Sequence, residues 1–216
     1  MKHLRRCLSL ALCAVLLLGL MPSVQATYDP NTDYMALMME AAGTGDYAAG
    51  RAAEACRNEK IAALGIGRHI AFDDLYLLAK VMYAEAGSSW LSEDWKLRVG
   101  EVVMNRVASP EFPNSVREVV YQPGQYAGSG NAYWERLMPD ARCVALALRL
   151  LEGERRMEPA VVFQANFPQG SGIHTQLYDP LLGNTYFCYS HRMGLYADAE
   201  VMGSIRELAF HPLVVC

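Results

Sequence analysis

Apolar residues recur at helical spacing along most of the chain, and the polar residues between them mark where helices begin and end. In "FDDLYLLAKVMYAEAG" the side chains of Leu78, Val81, Met82 and Glu85 fall on one helical face, with Asp73 or Asp74 as the expected N-cap and Gly87 as the expected end. "SEDWKLRVGEVVMNRVAS" predicts a second helix capped by Ser92. Trp95, Val99, Val102, Val103 and Arg106 run down one face of it, and Arg98, Glu101 and Asn105 down another. "PDARCVALALRLLEG" predicts a third, opened by Pro139 or Asp140 and closed by Gly153. Upstream, "DYMALMMEAA" and "YAAGRAAEACRNEKIAALG" flank a "GTGD" turn and read as an αα-hairpin. "AVVFQANF" and "NTYFCYS" alternate with period two, which predicts two short strands. The stretch 110–134 reads as loop-rich, and "ADAEVMGSIRELAF" as a closing helix. The pattern as a whole predicts a mainly helical α+β domain with a small β-sheet, preceded by a short helical hairpin.

The first residues change the compartment. "MKHLRR" is cationic, "CLSLALCAVLLLGL" is apolar but short for a membrane span, and "MPSVQA" ends in a V-x-A cleavage signal. We expect a secretory signal peptide over residues 1–26, leaving Thr27–Cys216, 190 residues with no transmembrane span. That mature chain holds 16 basic and 23 acidic residues, a net charge of about −7, without basic runs. Nucleic-acid binding is excluded on that ground. Cys56, Cys143, Cys188 and Cys216 remain after cleavage; their spacing fits no zinc template and leaves the pairing open. Cys143 and Cys188 lie in apolar stretches and read as packed thiols. There is no G-x-G-x-x-G, P-loop or H-E-x-x-H, and the chemistry below calls for neither metal nor cofactor.

Glu85 stands out against this background. A carboxyl on the apolar face of a helix, at the negative end of the helix dipole, has its ionised form disfavoured and its pKa raised. A carboxylic acid held protonated near neutral pH is what a general acid requires. The bland alternative is a solvated residue with a packed stem.

Four motifs in order carry a resemblance: Y-A-E-A in "LAKVMYAEAG", then V-G-x-V-V-x-N-R-V, S-P-x-F-P-x-S-V and Y-Q-P-G-Q-Y in "VGEVVMNRVASPEFPNSVREVVYQPGQYAG". Over roughly residues 72–191 the chain resembles the catalytic domain of the SleB-type cell wall hydrolases, a family that includes spore-cortex-lytic enzymes. The resemblance implies a lysozyme-like fold and cleavage of peptidoglycan between N-acetylmuramic acid and N-acetylglucosamine by lytic transglycosylation. It also implies Glu85 as the catalytic acid. On this reading residues 27–69 are a helical appendage, residues 70–216 the catalytic domain, and peptidoglycan glycan strands the partner. The location is secreted or cell-envelope, with spore cortex and vegetative wall both open as substrates. No separate peptidoglycan-binding domain precedes the catalytic part.

The remaining motif residues suit a sugar cleft. Asn105, Gln122 and Gln125 offer donors and acceptors for hydroxyl and acetamido groups. Tyr83, Tyr121, Tyr126 and Trp134 offer aromatic faces, and Gln164 and Asn166, two apart in a strand, share one side. Each has a structural alternative: Asn105 tying a loop, Tyr83 in the core, the P-G-Q turn serving backbone shape through Gly124 at φ > 0, Arg106 pairing with a carboxylate. A hydrolase would need a second carboxylate to hold water, and Glu93, Asp94, Glu101 and Glu111 are the candidates, with Glu101 expected on a solvated helix face. Two rival functions remain: a non-catalytic peptidoglycan-binding module, and a cysteine peptidase or amidase using Cys143 with His174 or His191.

Overall fold

The computed structural model describes residues 28–126 and 130–197. The expected signal peptide, the expected closing helix beyond Ala197 and Cys216 lie outside the described residues. Seven α-helices and three strands follow in order: α1 (Tyr34–Thr44), α2 (Tyr47–Leu64), α3 (Phe72–Ala86), α4 (Glu93–Ala108), α5 (Val116–Val120), α6 (Ala132–Arg136), α7 (Ala141–Leu151), β1 (Val161–Ala165), β2 (Ile173–Asp179) and β3 (Gly183–Tyr189). A 3₁₀ turn at Met193–Tyr196 ends the described chain. None of the described helices is long and apolar enough to cross a membrane. The sheet is antiparallel in the order β1-β3-β2. This is the mainly helical α+β architecture with a small sheet that the sequence predicts.

The strand β2, "IHTQLYD", is not among the two predicted strands. Its side chains show no apolar alternation, and only pairing with β3 over Leu177↔Thr185 and Tyr178↔Asn184 makes it a strand. Likewise α5 and α6 lie in the stretch read as loop; each is five residues long and is started by a local cap, Ser115 to the Glu118 N–H and Asn131 to the Trp134 N–H.

Two cores meet on α4. Leu97 and Val103 face a helical core built from Met38 of α1, Phe72, Leu75, Leu78 and Met82 of α3, Val119 of α5 and Leu146 and Leu150 of α7. Trp95, Val99 and Val102 face the sheet, against Val161 and Phe187. Gly100 makes this possible, since a Cβ there would lie 2.5 Å from Leu150 and 2.6 Å from the Met82 sulfur. Each fully buried Leu, Val or Met side chain contributes about 1.5–3 kcal/mol.

The helical pair shares the same core. α1 packs on α3 and α7, and α2 also touches α3. The start of α3 differs from expectation: Ala71 is the N-cap position, and Asp73 and Asp74 lie in the first turn. The orphan Phe72 N–H is taken by Glu54 of α2 at 3.0 Å, and Asp73 pairs with Arg51 of α2 at 2.9 Å. Helix α2 therefore supplies the cap that the local sequence of α3 lacks.

Candidate active site

Glu85 occupies the last turn of α3. Leu78, Val81 and Met82 on its face are fully buried, whereas Glu85 itself is exposed. The apolar stripe runs up to the carboxyl and stops. Burial by the protein on its inner side nonetheless pushes the carboxyl pKa above the ordinary glutamate value. Glu85 is thus open to solvent on one side and desolvated by the protein on the other. Glu85 has no hydrogen bond or ion pair with another described residue.

The end of α3 is held rigidly. Gly87 terminates the helix with right-handed backbone (φ −68°), so its role is not the left-handed cap. A Cβ there would lie 2.2 Å from the Tyr83 carbonyl oxygen. The last carbonyls are satisfied by Lys96 of α4, a fully buried ammonium that donates to Ala86 O and, at 2.9 Å, to Ser88 O. Sequence reading did not single out Lys96, and its signal is weak: a lone lysine on the helix that follows.

Of the predicted sugar-facing residues, Tyr126 lies near enough to Glu85 to feel its charge. Burial raises its phenol pKa to about 12; the nearby Arg106 guanidinium pulls the other way, and the Glu85 carboxylate adds to the rise. Arg106 pairs with no carboxylate among the described residues. Its guanidinium lies between the rings of Phe112 (5.0 Å) and Tyr126 (5.6 Å) and donates from Nε to Val162 O at 2.7 Å. The turn before Tyr126 is a type II turn, with Gly124 at φ 77° and Gln125 N donating to Gln122 O at 3.2 Å. Nothing lies within 4 Å of a Cβ at Gly124, so backbone shape alone requires the glycine. Gln125 is exposed; Gln122 is half-buried, with its Oε1 unpartnered among the described residues.

Other predicted residues take structural roles. Asn105 is buried and donates from Nδ2 to Glu158 O and Val161 O, both at 3.0 Å, which ties α4 to the start of β1. Tyr83 packs against the helical core. Trp134 is buried rather than presented to solvent, and its indole N–H donates to Tyr121 Oη at 3.0 Å. Tyr121 remains half-exposed, with the Arg117 guanidinium 5.2 Å from its ring. Gln164 is half-buried on β1 opposite Phe187, but β1 ends at Ala165. Asn166 is exposed beyond the strand, so alternation no longer assigns it a side.

The candidate second carboxylates are all engaged. Glu93 pairs with Arg142 and Arg149, and Asp94 with Arg98 and Arg156. Glu111 accepts from Ser190 Oγ and Tyr196 Oη. Glu101, expected on a solvated face, is instead fully buried: it accepts the Arg156 N–H at 2.8 and 2.9 Å and the Met157 N–H at 2.8 Å. Burial raises its pKa, and those two amides and the nearby Arg155 and Arg98 act against the rise. Helix α4 is covered on both faces, and a polar face of a central helix is polar because backbone donors meet it.

The cysteine alternative finds no activated thiol. Cys143 is fully buried, and burial pushes its thiol up to about 12, far from a thiolate. Cys56, Cys143 and Cys188 are all free. Among the described residues no group of three or more His, Cys, Asp or Glu is placed to hold a metal. Two clefts, of about 460 and 410 Å³, open on the helical pair, and neither is lined by Glu85.

The mainly helical α+β domain with its small sheet is consistent with a lysozyme-like fold, and it carries an accessible, partly desolvated glutamate at a helix end. Residues 92–190 match the family model described as Cell Wall Hydrolase, which supports the resemblance to the SleB-type cell wall hydrolases. The activity that goes with the family is peptidoglycan hydrolysis. The matched span begins seven residues after Glu85. No curated protein and no solved structure matches the chain.

Proposed function

We propose that the protein is a peptidoglycan lytic transglycosylase in which Glu85 is the single catalytic acid–base group. The observation that carries this reading is the state of the carboxylates: Glu85 is accessible and unpaired with a raised pKa, while Glu93, Asp94, Glu101 and Glu111 are all held by other groups. Glu85 in its protonated form gives its proton to the glycosidic oxygen between N-acetylmuramic acid and N-acetylglucosamine, and that bond breaks as positive charge develops at the muramic anomeric carbon. The carboxylate so formed takes the proton of the same sugar's C6 hydroxyl, whose oxygen bonds to the anomeric carbon and closes a 1,6-anhydro ring. Glu85 ends protonated and no water is consumed, so no second carboxylate is required to hold one. Tyr126 lies within electrostatic range of the acid, and Gln122 and Gln125 precede it in the same turn as donors and acceptors for sugar substituents.

Residues 1–26 support export to the cell envelope, where peptidoglycan is met. Residues 70–216 are read as the catalytic domain, on either spore cortex or vegetative wall.

Mass spectrometry of fragments released from purified sacculi and from spore cortex tests this. Anhydromuramic ends, one water lighter than reducing ends, are expected from the wild type and absent with Glu85→Gln. Reducing muramic ends would replace transglycosylation by hydrolysis. Cortex cleaved in preference to vegetative wall would assign the protein to germination.

A further inference from the structure

Trp90 is a large aromatic residue left 57 % exposed in the loop between α3 and α4. Its indole N–H donates to Asp179 Oδ2 at 3.1 Å, across to the turn of the β2–β3 hairpin. Asp179 is itself buried, and its other oxygen accepts the Leu181 N–H at 2.9 Å and the Leu182 N–H at 3.0 Å. One carboxylate thus shapes the hairpin turn and fixes the indole. The polar edge of the ring is committed, so the surface it offers to solvent is carbon. Tyr178, Leu181 and Leu182 at the hairpin tip are also exposed.

The loop beneath is held at each step. Lys96 takes Ala86 O and Ser88 O, Arg142 donates to Ser89 O at 3.3 Å, and Leu91 N donates to Ser88 O at 3.2 Å. A chain of five residues spans at most roughly 18 Å even when fully extended, so Trp90 lies within a few sugar rings of Glu85.

We propose that Trp90, backed by the β2–β3 hairpin tip, is an outlying sugar subsite on which a pyranose ring of the glycan strand stacks. This rests on the reading of Glu85 as the glycosidic acid. A pyranose presents an apolar C–H face and polar edges, which matches an aromatic face whose own polar atom is already satisfied. An aromatic on a rigid loop loses little conformational freedom when a ring lands on it, so the stacking energy appears as affinity. Exposed apolar clusters of this kind mark contact surfaces. An anionic lipid surface is the poorer occupant, because the chain is net acidic and Asp179, which meets the indole, pairs with no cation among the described residues.

Trp90→Ala and Trp90→Phe test this in two settings. In Glu85→Gln protein, cosedimentation with purified sacculi is expected to weaken by about tenfold with Trp90→Ala, and by less with Trp90→Phe, which keeps an aromatic face. In otherwise wild-type protein, KM for sacculi is expected to rise by a similar factor, with a smaller loss on soluble fragments too short to fill the catalytic site and the platform together. The melting temperature is expected to fall only slightly, since the indole is largely exposed and both variants give up one hydrogen bond to Asp179. Binding and KM within twofold of the parent would overturn the subsite while leaving Glu85 untouched. Loss of self-association in sedimentation, or loss of binding to phosphatidylglycerol vesicles, with sacculus binding intact would overturn it in favour of a second copy or a lipid. If the wild type cleaves no glycan the acid assignment falls, and the binding arm still decides the platform.

Discussion

Two glutamates on consecutive helices, Glu85 at the end of α3 and Glu101 in the middle of α4, both have pKa values raised by burial. They differ in everything else. Glu101 is 0 % exposed and accepts two backbone N–H groups of the 156–157 loop. Glu85 is open to solvent and holds no partner among the described residues. A raised pKa alone therefore does not mark a catalytic acid, because structural carboxylates share it. Accessibility combined with the lack of a partner separates Glu85, the group proposed to give a proton to substrate, from Glu101, which shapes a loop.

The largest expected effect breaks the comparison on the side of activity. Glu85→Gln should lower glycan cleavage by about 10²–10⁴-fold, the usual contribution of a general acid, with the fold intact by circular dichroism. Its pH dependence has a definite sign. The acid must be protonated, so cleavage should fall as pH climbs through the raised Glu85 pKa. The same shift makes native protein bind the proton more readily than unfolded protein, so ionised Glu85 costs stability as pH rises through that value. Glu85→Gln should therefore gain in melting temperature relative to wild type on going from acid to neutral pH.

Glu101→Ala sharpens the other side. It leaves the Arg156 and Met157 N–H groups without their acceptor and should cost about 3 kcal/mol in urea unfolding, while the fraction that stays folded keeps its activity. Lys96→Met removes the donor to Ala86 O and Ser88 O and should cost about 2 kcal/mol, with a rise in KM if the Glu85 turn loosens. Glu54→Ala removes the cap of the Phe72 N–H and should cost about 1 kcal/mol. The fall in stability with Glu54→Ala should come without loss of turnover per folded molecule.

Legibility in the sequence followed the range of the interactions. The helices with strong periodicity and local caps were readable: Ser92 and Asp140 cap α4 and α7 as their positions suggest, through Trp95 N–H and Cys143 N–H. The start of α3 was not, because its cap comes from Glu54, 18 residues away. Strand β2 was hidden for the same reason, since only β3 makes it a strand. At the candidate site, Glu85 was legible from its helical face and motif. The buried roles of Asn105 and Glu101 depend on elements more than 50 residues distant, through Glu158 O, Val161 O and the Arg156 N–H. Trp90 gave one weak signal, an isolated tryptophan between a glycine-ended helix and an N-cap serine; the Asp179 bond that orients it is visible only in three dimensions.

The most direct test assays wild type, Glu85→Gln and Glu101→Gln side by side on purified peptidoglycan, at equal concentrations of folded protein, with released ends read by mass spectrometry. The account predicts anhydromuramic ends from wild type and from Glu101→Gln, and none from Glu85→Gln. Cleavage that survives in Glu85→Gln but disappears in folded Glu101→Gln would contradict it and move the acid to α4.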